Sequence, residues 1–424
     1  MKKDREKKPK YSNITDATIM GSTSEESALY ASANREHLSV LDKLEEISKR
    51  KINPNYTNQN INQQAGYSAE IKEQARVNAH NILAGKRERI VQYDDLFSEK
   101  KTQVKKLFPN YATPKKNHEI VDYASIDEKG NVIPGTLTQS KFVGRNGAEC
   151  FEKFLSKDYE KYFENGVKVK IPEDFFGDFQ KEANITIKSL ESQIAKQKSF
   201  GNFQKANILE RRLQKCKTIK ANTRPASITK AEAIEARLNP NLSTAKDVTS
   251  VSHQAGMNAA QTGALIGGGV SAITNIYECI ANGKDPMKAI KHTAIATLKG
   301  GVLSYGSAFA SSSLGGGLMQ SSANKVIQSL GKGSVPAMIV GACVANATVL
   351  TRYFSGKIDG KELLKQLGKA NTTLVSSGAM AVACQVLIPI PVVGALVGGF
   401  VGAILSETFF NAFLKAREEA KKAY

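Results

Sequence analysis

Asp122, Gln139 and Lys141 are side chains of the types that hydrolyse phosphate esters, and the stretch around them supplies a geometry. Ile120, Val121, Ala124 and Ile126 form a short β-rich run, followed by turn chemistry in Asp127-Glu128-Lys129-Gly130-Asn131. Val132, Ile133, Thr136 to Thr138, Phe142 and Val143 then read as the returning strand of a hairpin. Asp122 falls on the first strand, while Gln139 and Lys141, two apart, project from one face of the second. A carboxylate and a second oxygen ligand hold a hard divalent cation. The cation polarises a phosphate and activates a water, and a lysine beside it orients that water or offsets charge building on phosphorus. The residue types therefore predict metal-dependent hydrolysis of a phosphodiester, provided that the two strands pair.

Upstream, Gly66-Tyr67-Ser68-Ala69-Glu70 opens a predicted helix, with Ser68 as its cap and Glu70 in its first turn. A helix bearing Glu70, a strand bearing Asp122 and a strand bearing Gln139-x-Lys141 follow the order of the PD-(D/E)XK, restriction-endonuclease-like superfamily, which the chain resembles over about Tyr67 to Phe176. The resemblance implies a nuclease acting on DNA, with Glu70, Asp122 and Gln139 around Mg²⁺ and Lys141 beside the attacking water. Two departures stand out: no Pro precedes Asp122, and Gln139 replaces the commoner Glu, a weaker ligand. Asp94 and Asp95 are rival acids, although such a pair more usually ends a strand or caps a helix. Glu70 also reads as an acid that compensates the helix dipole.

These residues need elements to position them. Residues 1–66 read as a basic, polar extension in which Asn53 to Asn60 is linker and Glu25 to Lys51 an amphipathic helix, with Leu38, Leu41, Leu44 and Ile47 at helical spacing. Residues 67–177 read as the α/β nuclease-like core. In it, a helix striped by Ala75, Ala79, Ile82 and Leu83 stops at Gly85, a strand covers Ile90 to Tyr93, and the hairpin follows. Next come a helix from Ala148 to Phe163 and an alternating strand, Val167 to Ile171, closed by Pro172. Strand, helix, strand is a crossover that adds a parallel strand. Lys168 and Lys170 face away from the core, available to phosphates or to solvent. Residues 178–240 read as a helical-hairpin connector broken at Phe200-Gly201-Asn202, then a short helix, Lys230 to Leu238, opened by the capping box of Thr229 and Glu232.

Residues 241–424 change composition. Uncharged runs at 254–277, 300–324, 333–351 and 370–406 each reach the roughly 20 residues that a membrane-crossing helix needs. Glycines recur every fourth residue at Gly394, Gly398 and Gly402, letting helices approach by backbone contact. Lysines and arginines between the runs suit anionic lipid. The expected class is thus a multidomain α+β protein: a nuclease-like core with a β-hairpin, a helical hairpin, and a Gly-rich all-α module read as a membrane-associating, transmembrane-type bundle.

Composition narrows the partners. The net charge is +19, and the surplus is spread: 43 Lys and Arg against 32 acids up to Pro240, and 16 against 8 beyond it. Such a chain suits a polyanion, either nucleic acid or an anionic membrane. The 5 Cys are far apart and the 5 His scattered, which argues against a disulfide framework, a zinc site or a Ser-His-Asp triad, and for reduced thiols. The charged start, MKKDREKKPKYS, does not read as a cleavable signal peptide, so a cytoplasmic and membrane-associated protein is expected. The arrangement resembles multidomain bacterial toxins that join a warhead to a membrane module, a setting that would bring an immunity or other partner protein. The alternative is a non-enzymatic membrane-active or pore-forming protein whose α/β part is a binding module.

Overall fold

The computed structural model describes residues 24–99, 119–259, 304 and 307–320, with isolated positions at 328, 331, 332, 336, 337 and 362. The chain divides into two compact units, Val40–Ser243 and a second unit built from Met1–Ser39 with Thr244–Tyr424. The Val40–Ser243 unit holds the candidate site. It runs α2 (Leu41–Ser48), α3 (Thr57–Leu83), β1 (Arg89–Gln92), α4 (Tyr93–Glu99), β2 (Tyr123–Ile126) and β3 (Thr138–Ser140). It continues through α5 (Gly147–Phe154), α6 (Lys157–Glu164), β4 (Lys168–Ile171), α7 (Glu173–Ser199), α8 (Phe203–Asn222), β5 (Thr223–Pro225) and α9 (Lys230–Leu238). Helix α1 (Ser24–Ser39) belongs to the other unit, so the single amphipathic helix expected over Glu25 to Lys51 is two helices.

Strands stand in the order β1-β2-β3-β4-β5; β1, β2 and β3 pair antiparallel, and β4 and β5 add in parallel. The sheet's alternation sorts its side chains. Val169 and Ile171 join Ala124, Phe151, Phe154, Phe179 and Ile219 in the main core under α5 to α8. Lys170 turns to the other face, where its Nζ meets the buried Glu73 of α3 at 2.5 Å. It is therefore not the free phosphate contact that the strand pattern offered. On that second face Ala65 and Ala69 of α3 pack on Ala226, Ile228 and Ala233, with Ile71 and Ala75 against Val40, Leu44 and Ile47.

Several expected boundaries move, each for a packing reason. Helix α3 begins at Thr57, so the Asn-rich stretch is the start of a helix and Ser68 is a buried mid-helix residue instead of a cap. Helix propensity there is weak; burial of Ala65, Ser68 and Ala69 supplies the stabilisation that propensity does not. The hairpin turn forms as expected, Asp127 Oδ1 accepting from the N–H of Lys129 and of Asn131. The returning strand does not run through: Ile126 bridges Val132, then Thr136 Oγ1 accepts from Ser125 N–H, and regular pairing resumes only at Tyr123 with Thr138. The helix expected over Ala148 to Phe163 is α5 and α6, because Ser156 adopts an extended conformation and starts the second. The helical hairpin expected as a connector belongs to the same compact unit as the sheet: α7 and α8 line the main core and α8 leads into β5. Gly147 sits where α5 meets α7 so tightly that a Cβ would lie 2.0 Å from Phe175 O.

In the other unit, Asn34 of α1 donates to Ser252 Oγ at 2.8 Å, and Ser252 Oγ lies 2.8 Å from Ser313 Oγ within a helix over 307–320. Ser311, Ser312 and Ser313 are fully buried, and Gly316 lies where a Cβ would come within 2.7 Å of Asn34 Cβ. Among the described residues no helix is long and apolar enough to cross a membrane, so the expected transmembrane bundle finds no support there. The segments that carry that expectation most strongly, 370–406 with Gly394, Gly398 and Gly402, lie outside the described residues.

Candidate active site

Helix α3 presents Tyr67, Glu70 and Ile71 along one side, the i, i+3, i+4 spacing that puts side chains on a common face. Glu70 is thus more than three turns into the helix, too far from its N-terminus for the dipole-compensating role. Asp122 lies one residue before β2. Its N–H donates to Thr138 O at 2.9 Å and its carbonyl accepts from Tyr93 N–H at 2.7 Å, which pins it between β3 and the start of α4. Gln139 is the central residue of β3, opposite Val169 of β4. Lys141 follows β3 and keeps its pairing, donating its N–H to Lys170 O at 2.8 Å.

These elements bring Glu70, Asp122, Gln139 and Lys141 to the wall of one cavity of about 680 Å³, together with Asp94 from the first turn of α4. Asp122 Oδ2 accepts from Gln139 Nε2 at 2.6 Å and from Ser140 N–H at 2.7 Å. That donation fixes which end of the amide faces the carboxylate. The other end, Gln139 Oε1, is buried with no hydrogen-bond partner among the described residues. An oxygen left over beside a carboxylate, in a residue only 3% exposed, is costly unless a hydrogen-bond donor or a cation meets it. The Lys141 ammonium lies over the Tyr162 ring, 5.2 Å from its centroid.

The family models, curated proteins and solved structures compared with this chain include no match. What the site can do therefore rests on its own electrostatics. Burial, the Asp122 charge and the Asp94 charge push the Glu70 carboxyl up to about 8, against the pull of Lys141. Burial also raises Asp122, while Lys141, the Ser140 N–H and the Gln139 amide work in the opposite direction. Carboxylates raised by burial and by neighbouring negative charge form a site that gains from a cation. Among the described residues no three His, Cys, Asp or Glu side chains gather to hold a metal by themselves. The donor set here differs from such a cluster, because one of its oxygens is the Gln139 amide.

The four residues expected from the sequence are all brought together. Of the rival acids, Asp94 joins them, while Asp95 is exposed and pairs with Lys43 at 3.5 Å. Arg50 and Tyr67 line the same cavity and were not singled out. For Tyr67 a signal existed: it precedes Glu70 by three on a helix. Arg50 lies in the stretch read as an extension, and only the tertiary fold brings it to the cavity.

Proposed function

We propose that the Val40–Ser243 unit hydrolyses phosphodiester bonds in nucleic acid, with DNA as the first substrate to test. The observation that carries this reading is the convergence of Glu70, Asp122, Gln139 and Lys141 on one cavity, with the Gln139 amide oxygen buried and unpartnered. The order of elements supports it as well. Helix α3 bearing Glu70, then β2 preceded by Asp122, then β3 leading into Lys141, with a crossover to parallel β4, is the order of elements on which the PD-(D/E)XK resemblance rests.

Each side chain has a role in this reading. Glu70, Asp122 through Oδ1 and Gln139 through Oε1 would hold Mg²⁺. When bound, that ion supplies neutralisation of the phosphate and acidification of a water. Gln139 also keeps Asp122 oriented by donating to Oδ2. Lys141, charged and packed against Tyr162, is placed to orient the attacking water and to offset charge on the phosphoryl oxygens. Asp94 keeps negative potential at the site when no cation is present.

The test is incubation of the intact protein with plasmid and with single-stranded DNA in Mg²⁺. Lys141→Ala should slow cleavage by a few orders of magnitude, about 3 to 5 kcal/mol of barrier, with an unchanged circular dichroism spectrum. Cleavage that persists in the double variant Lys141→Ala, Asp122→Ala would place the chemistry elsewhere.

A further inference from the structure

We infer that Arg50 and Tyr67 form a nucleotide-binding subsite, and that the substrate enters as an unstacked, single-stranded nucleotide. This rests on the phosphodiesterase reading for the position of the scissile phosphate. The Arg50 guanidinium lies over the Tyr67 ring, 5.1 Å from its centroid, and both residues line the cavity that holds the carboxylates. Tyr67 lines the cavity and yet remains 41% exposed. Arg50 makes no ion pair among the described residues, although its neighbourhood on α2 contains Glu45 and Glu46.

The pair is held in place from behind. Arg237, only 3% exposed, donates from Nη2 to Arg50 O at 2.9 Å and from Nη1 to Ser48 O at 2.8 Å. Its Nε donates to Gln64 Oε1, one turn before Tyr67 on α3. One buried guanidinium thus ties the end of α2 and the turn after it, which carries Arg50, to the helix that carries Tyr67 and Glu70. An arginine held over an aromatic ring keeps N–H groups for a phosphate. A tyrosine beside it offers a platform on which any base can stack, the usual means of holding a single strand without reading its sequence. Because Tyr67 and Glu70 are neighbours on one helix face, a base on this platform has its phosphate within reach of the carboxylate cluster. The size also discriminates. A cavity of about 680 Å³ suits a nucleotide-sized ligand, whereas a stacked duplex presents its phosphates on a convex outer surface and cannot enter with its bases.

The experiment compares a fluorescein-labelled oligothymidylate with a blunt hairpin duplex, measuring anisotropy in EDTA and cleavage kinetics in Mg²⁺ with the full-length chain. Tyr67→Ala should weaken single-strand binding by about 5- to 150-fold, the range measured for removal of one stacking platform, and raise KM with little change in kcat. Tyr67→Phe should restore it, and Arg50→Ala should weaken it; duplex binding should move in none of the three. Thermal melts of each variant establish that the fold is retained. Equal loss on single strand and duplex, or no loss on the single strand, overturns the inference and leaves the nuclease reading standing. Tyr67-dependent binding of the single strand by a wild-type protein that cleaves neither substrate upholds the subsite and removes the nuclease reading instead.

Discussion

The chemistry of the site turns on one hydrogen bond and the atom it leaves behind. Because the Gln139 amide offers its N–H to Asp122, its oxygen is the end left without a hydrogen-bond donor among the described residues. A Glu in that position would lose the donor and add a further carboxylate beside Glu70, Asp122 and Asp94, in a pocket where Glu70 is already pushed up to about 8. Gln139 thus lets the carboxylate cluster exist without a cation, at the expense of a weaker ligand. Burial of Glu70, and the charges beside it, set a pH dependence. The value of Glu70 in the folded protein lies above its ordinary 4.5, so between these limits the folded state binds more protons than the unfolded one. Stability from this group is complete below the ordinary value and is lost as pH rises through about 8. In EDTA, Glu70→Gln should therefore melt higher than wild type at the upper limit and not at the lower. Each kcal/mol is worth roughly 2–4 °C in a unit of this size. Mg²⁺ should raise the wild-type melting temperature near the upper limit and leave the variant's largely unmoved. Far-UV circular dichroism reads both, since the chain has 0 Trp. A wild-type melting curve indifferent to pH across this range would show that burial and neighbouring charge do not raise Glu70.

At the scale of elements, the site depends on helices and strands whose types were legible in the sequence and whose contacts were not. Asp122, the Asp127 to Asn131 turn and the Gln139-x-Lys141 pair follow from period-two alternation and turn chemistry, both local signals. The Thr229 and Glu232 capping box was equally local, and both halves of it form. What local signals missed depends on partners distant in sequence. The Asn-rich start of α3 is helical because of alanines buried against residues 226–233. Arg50 reaches the cavity because Arg237 holds the end of α2. Lys170 is committed to Glu73, whose other oxygen accepts from the Ser227 N–H and hydroxyl at 2.6 Å each. No periodicity in strand β4 could reveal that pairing. The contact of α5 with α7 gives a direct test of how far such packing governs the unit. At Gly147 an added Cβ would meet Phe175 O at 2.0 Å and Phe179 N at 2.4 Å, both backbone atoms that cannot swing aside. Overpacking of this kind costs about 1 to 3 kcal/mol. Gly147→Ala should lower the denaturant midpoint accordingly, and because α7 also backs the Phe151 and Phe154 cluster, it should lower activity only through the unfolded fraction. A full-strength midpoint would mean that the two helices separate at little cost.

For the whole molecule, charge is the property that the sequence states most directly and that the fold leaves most open to use. The surplus of +19 is not confined to the cavity, where Arg50 and Lys141 are the two cations among the described residues, and many surface lysines are already engaged. Lys43 pairs with Asp95, Lys198 with Glu210 and Lys217 with Glu191. Such exposed pairs are weak and exchange readily for phosphate. Two different molecules follow from this. If nucleic acid touches only the cavity, about two phosphates are neutralised, and the logarithm of the binding constant falls with the logarithm of salt at a slope near −1.4 for a single strand. If the distributed charge takes part, the strand is tracked beyond the cavity and the slope steepens by about 0.7 for each further phosphate. Both parts of the chain carry an excess of Lys and Arg, so the second outcome is expected. A slope steeper than about −2.8, four phosphates or more, should be found with a long oligothymidylate. With a strand just long enough to fill the cavity it should relax toward the two-phosphate value. Lys141→Ala should reduce both slopes by about 0.7, because it removes one phosphate partner from the cavity and none from the surface. Titrations of the full-length protein from low to moderate salt, with strands of increasing length, make the comparison. Slopes that stay near −1.4 at every length would confine nucleic-acid contact to the cavity and leave the surplus charge to another polyanion, of which an anionic membrane is the first to try.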